Sequence, residues 1–181
     1  MKKQEEVKVV EKVYDFILGL YPHIIDKAKK KFDSLGMDFP NNVSYSRGFN
    51  SWFLLKYIVH NAATPMELAY SFPMDYFSKK EKRIIKNFIG HIESLFEVIS
   101  IKDKDYTLKD ARDNKKYNMK TIAMDGNLKA KDYILATIVK SLKNCFFFYG
   151  NVLPCDKMHI EDIKKELKNS SKEKNKLPEI E

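Results

Sequence analysis

The stretches Asp105-Tyr106-Thr107-Leu108-Lys109-Asp110 and Lys116-Tyr117-Asn118-Met119-Lys120-Thr121 decide the fold. Tyr106 and Leu108, then Tyr117, Met119 and Thr121, alternate with polar or charged neighbours at a period of two. That period belongs to strands with one face buried and one in water. Working outward, strands are expected over 95–101, 105–111, 116–123, 132–140 and 145–152. Turn signals stand at Asp103, Asp113-Asn114, Asp125-Gly126 and Lys143-Asn144. Five short strands suit a small barrel of SH3-like or OB-like kind, or a curled antiparallel sheet.

Upstream, the period is helical. Residues 3–35 predict one long helix or two shorter ones, with Val10, Val13, Tyr14, Ile17 and Leu18 on one stripe and Ile24, Ile25, Ala28 and Phe32 resuming it after Pro22. Phe39-Pro40-Asn41-Asn42 reads as a loop. From Ser46, a run including Phe49, Trp52, Phe53, Leu54, Leu55, Tyr57, Ile58 and Val59 predicts a largely buried helix. Thr64-Pro65-Met66-Glu67 and Ser78-Lys79-Lys80-Glu81 are capping boxes. Each opens a helix, the first stopped by Pro73 and the second carrying Ile84, Ile85, Phe88, Ile89 and Ile92.

The expected organisation is therefore α+β. A helical module spans 1–93, the small barrel or sheet 94–153, an amphipathic helix 154–168 built on Ile160, Ile163 and Leu167, and a charged, disordered tail 169–181.

Composition narrows the function classes. The chain has 181 residues, 44% of them apolar, which suits a globular domain. It contains no apolar run long enough to span a bilayer and no secretory leader at its charged start, so the expectation is a cytoplasmic protein with no membrane partner. Cys145 and Cys155 are expected to be reduced thiols, although their pairing stays open. The formal net charge is +8, and residues 94–153 carry 11 Lys and Arg against 7 Asp and Glu. Such an excess attracts polyanions. The cations are nearly all Lys, however, with only Arg47, Arg83 and Arg112, and Arg is the better reader of phosphate.

Most catalytic chemistry lacks its residues here. Cys155 and His159 are four apart, but zinc needs further ligands, so no metal site is expected. The six glycines are isolated, which disfavours a phosphate-cradling loop. No nucleophile-elbow context surrounds a serine or cysteine. Asp110 and Asp113 are expected to end a strand and shape a hairpin, not to do acid/base work. No cofactor is implied, and the chain is not expected to be an enzyme.

Two binding surfaces remain. Arg112, Lys115, Lys116 and Lys120, joined by Lys129 and Lys131 if the strands close up, form a basic cluster for nucleic acid. Phe146, Phe147, Phe148 and Tyr149 are consecutive, so both faces of their strand are aromatic. One face is expected to fill the barrel. The other packs on the helices around Trp52, Phe53, Ile85 and Phe88, or serves as an interface to a protein partner or in a homodimer.

Trp52-Phe53 in a central helix, Thr64-Pro65 and Ser78 to Glu81 opening two more, Leu95-Phe96-Glu97-Val98, Leu108-Lys109-Asp110 and Tyr149-Gly150 follow in order. The pattern resembles uncharacterised prokaryotic proteins with a helical module before a small β-barrel, some carrying a SEC-C type metal-binding tail. The likeness covers about residues 46–153. It implies architecture alone, since the Cys/His cluster of such a tail is missing and no functional residue is carried over. The expected function is a non-catalytic binding or adaptor module that contacts nucleic acid through the Lys-rich face. The alternative is protein interaction or self-association through residues 145–149.

Overall fold

A computed structural model describes residues 5–36, 44–73, 76–103, 105–120, 128–163 and 165. The expectations for 39–42, Thr121 and the rest of 121–123, Asp125-Gly126, Leu167 and the tail 169–181 lie outside them. The architecture is α+β: helices come first, then a five-stranded mixed sheet and a short final helical segment.

The helices are α1 (Glu5–Leu20), α2 (Ile24–Asp33), α3 (Tyr45–Leu55), α4 (Pro65–Ser71) and α5 (Lys79–Ile89). Both capping boxes form. The Thr64 and Ser78 hydroxyls accept from the Glu67 and Glu81 backbone N–H groups, and each glutamate carboxylate accepts from the cap residue's own N–H at 2.7 Å. The C-terminal carbonyls of α4 are met by a cation, because Lys82 Nζ donates to Ala69 O at 2.9 Å and to the Tyr70 and Phe72 carbonyls.

Three helical expectations are corrected. The buried stripe of α1 is Val9, Val13, Phe16 and Ile17; Val10, Tyr14 and Leu18 are half-buried at its margin. Phe16 is drawn in by rings, with centroids of Phe72 at 4.7 Å and Phe77 at 5.4 Å. The third helix stops at Leu55, and Ile58, expected within a buried helix, is 53% exposed. Residue 64 precedes a proline and must leave the helical region. The chain reaches it through a tight turn, Val59 N–H donating to Ala63 O and Ala63 N–H to His60 O. Ile92, expected at the end of the last helix, instead opens a strand, because Gly90 caps α5.

The strands are β1 (Ile92–Lys102), β2 (Asp105–Asp110), β3 (Lys116–Lys120), β4 (Tyr133–Lys140) and β5 (Phe146–Cys155). Their order, β1-β2-β3-β5-β4, returns to β1, so the sheet curls closed. β1 pairs antiparallel with β2 and β4, and β2 with β3, whereas β3 meets β5 in parallel through Met119 and Phe146. A ring of five strands cannot alternate direction all the way round, which is why the sheet is mixed and not purely antiparallel. A register shift between Val98 and Ser100 bends β1. Three of the expected turns fall within the described residues, with Asp103, Asn114 and Asn144 in the left-handed region.

The inner face of the sheet holds Phe96, Val98, Leu108, Tyr117, Met119, Ile134, Ala136 and Ile138. Beyond β5, a 3-10 turn at Lys157–His159 leads into helical residues 160–163, with Ile160 buried. Two compact units result. One contains Met1–His91, Val139–Asn144 and Tyr149–Asn151; the other contains Ile92–Ile138, Cys145–Phe148 and Val152–Glu181.

Candidate functional site

The outer face of β3 is the first candidate. Its burial alternates strictly: Lys116, Asn118 and Lys120 are exposed while Tyr117 and Met119 are buried. Opposite them on β2 stand Lys109, Thr107 and Asp105. Lys109 is neutralised by Glu97 at 3.2 Å. Among the described residues neither Lys116 nor Lys120 has an ion-pair partner. Their Cα atoms lie about 13 Å apart along the strand, with Asn118 midway. Lys115, the residue before β3, is in phase with Tyr117 and not with the row, and its ammonium lies 5.6 Å from the Tyr117 ring centroid.

The other three predicted cations sit differently. Lys129 and Lys131 belong to a turn on the far side of β1, where Lys131 N–H donates to Val98 O at 2.7 Å. Since Val98 pairs with Leu108 and Leu108 with Tyr117, the strands β1 and β2 stand between Lys131 and β3 on that side of the sheet. Both side chains are exposed, but they do not join the β3 row.

Arg112 is bound to its own hairpin. Its Nη2 donates to Asp110 Oδ2 at 2.8 Å, and its Nε and backbone N–H donate to Oδ1 at 3.2 and 2.8 Å. Asp110 is fully buried and also accepts from the hydroxyl of buried Ser94 on β1, at 2.7 Å. Burial by itself pushes the Asp110 carboxyl up, but the Arg112 and Ser94 hydrogen bonds outweigh it and hold the group below its ordinary value. The guanidinium is held correspondingly more firmly protonated by Asp110. The turn is closed by Asp110 N–H to Lys115 O and Asn114 N–H to Asp110 O, and Asp113 Oδ1 accepts from Lys115 N–H. Asp110 and Asp113 therefore shape the hairpin. What sequence reasoning missed is that Asp110 faces inward and reaches Ser94, sixteen residues away. The period of two does put Asp110 in phase with Tyr106 and Leu108, but no local pattern names Ser94 as its partner.

The aromatic strand is occupied within the chain. Phe146 sets its edge on Tyr117 at 5.0 Å and Phe148 on Tyr106 at 6.5 Å, both turned to the inner core. Phe147 is buried, and Tyr149 meets Phe88 edge-on at 4.9 Å. Burial pushes the Tyr149 hydroxyl well up. Among the described residues the exposed rings instead lie in the helical unit, at Tyr45, Tyr70, Phe72 and Tyr76.

A cleft of about 330 Å³ is lined by Asp132, Tyr133, Pro154, Cys155 and Asp156. It provides no activated nucleophile, since burial and Asp156 push the Cys155 thiol up and keep it protonated. Cys145 and Cys155 stand at opposite ends of β5, far beyond disulfide reach, and are not bonded. Among the described residues no three His, Cys, Asp or Glu side chains gather as a metal site would require.

The likeness drawn from Trp52-Phe53 through Tyr149-Gly150 rests on those residues alone. Comparisons with family models, with curated proteins and with solved structures return no match to this chain.

Proposed function

We propose that the chain is a non-catalytic binding module that holds a polyanion, with nucleic acid the favoured one, against the outer face of β3. One observation carries the reading: Lys116, Asn118 and Lys120 face water in a row on a strand whose alternate residues anchor the core. Two ammoniums and an amide donor at even spacing can contact successive phosphates, while the rigid inner face spares the complex the cost of ordering the strand. Two Lys contacts to a single strand correspond to a log–log salt slope of about −1.4.

The test is fluorescence anisotropy of labelled mixed-sequence single- and double-stranded DNA and RNA, titrated with protein at low and physiological salt. Saturable binding that weakens at that slope, and is abolished by Lys116→Glu with Lys120→Glu, supports the reading. Absence of binding at low salt, or binding indifferent to that charge reversal, removes it.

A further inference from the structure

The guanidinium of Arg112 is the best phosphate ligand in the basic cluster by chemistry, yet two of its nitrogens are spent on Asp110. Resting on the polyanion reading above, we propose that Arg112 is a positioning residue for the β3 face, acting through Asp110, and not a phosphate contact. Asp110, the last residue of β2, joins three segments to that strand: β1 through the Ser94 hydroxyl, the approach to β3 through its own N–H donating to Lys115 O, and the turn through Arg112. The turn so fixed delivers Lys115 and Lys116 into β3, and Lys116 is the first residue of the exposed row. Releasing Arg112 therefore leaves every Lys in place but loosens the segment that aims them. Ordering a loosened side chain on binding weakens affinity roughly two- to tenfold.

Arg112→Lys separates the two roles because it keeps the charge and discards the planar fork. Binding of a labelled mixed-sequence single-stranded oligonucleotide is measured across a salt series for the wild type, Arg112→Lys, Arg112→Gln and Lys116→Gln. A positioning residue gives weaker binding in both Arg112 variants, with the salt slope of the wild type. Lys116→Gln, which removes a contact, makes the slope shallower by about 0.7. Wild-type affinity in Arg112→Lys, or a slope in Arg112→Gln shallower by the same step as in Lys116→Gln, overturns the inference. Amide hydrogen exchange of Asn114 and Lys115 in the free proteins gives a second readout. Faster exchange in Arg112→Lys is expected, and unchanged exchange sinks the proposal even if binding falls. A wild type that binds nothing defeats the polyanion reading instead, and exchange still decides whether Arg112 holds the turn.

Discussion

The N-termini of α4 and α5 and the Asp110 end of the sheet both satisfy polar groups that folding would otherwise strand, but they do so over different chain distances. Thr64 with Glu67 and Ser78 with Glu81 close within three residues. Asp110 needs Ser94, sixteen residues away, and only then Arg112, two residues on. The local device stabilises a helix that packing already favours. The long-range one is a buried charge whose partners must all arrive together, so losing one leaves a full desolvation cost behind. The Asp110 end should therefore be the more sensitive of the two.

Replacing Asp110 by Ala is the largest expected break. It removes the acceptor of Ser94 and Arg112, at about 3 kcal/mol, the low end for one partner of a buried pair because Arg112 is 33% exposed and can turn to water. Urea unfolding measures it, and a loss no larger than that of Ser78→Ala would erase the contrast. The same carboxylate carries a pH signature. Its folded pKa lies below the unfolded value of about 3.9, so its contribution is present above that pH and is lost as pH falls through the folded value. Asp110→Asn should flatten the stability profile below about pH 4, while the wild type declines there.

Next comes Gly150, at φ +90, where an added Cβ would meet Ser51 Oγ at 2.5 Å and Ser51 Cβ at 2.7 Å. The Ser51 hydroxyl is itself tied to Gly48 O, and its Cβ cannot swing away. Gly150→Ala should lower stability by about 2 kcal/mol through strain and overpacking. A neutral result would mean that α3 gives way at this crossing.

The caps come third, at about 1 kcal/mol each for Thr64→Ala and Ser78→Ala in thermal or chemical unfolding. They also mark what the sequence discloses. The boxes and the alternation of Lys116 to Lys120 are patterns within a few residues, and each has its predicted form here. Ser94 meeting Asp110, the shift of the α1 stripe toward Val9 and Phe16, and the parallel meeting of Met119 with Phe146 depend on partners far along the chain. No local period encodes such partners. Of the candidate site, the exposed row was legible. The capture of Arg112 was not, because a sequence shows that a cation is present and not what it already holds.

The smallest expected effect concerns a local feature that escaped notice for a different reason. Asn61 and Ala62 both have positive φ, at 45° and 59°, between His60 and Ala63, which pair across the turn. A two-residue turn of this kind is announced by Asn-Gly, and here alanine occupies the glycine position. An alanine held left-handed costs about 1–2 kcal/mol, against which the greater freedom of glycine in the unfolded chain recovers only part. Ala62→Gly should therefore stabilise the protein by about 0.5–1 kcal/mol, read as a higher urea midpoint at unchanged slope. Ala62 is exposed, so no packing term competes with the backbone term. A destabilised Ala62→Gly would show that the Asn61–Ala62 turn is not held left-handed in solution. The end of α3 at Leu55 would then owe more to Pro65 than to the turn that precedes it.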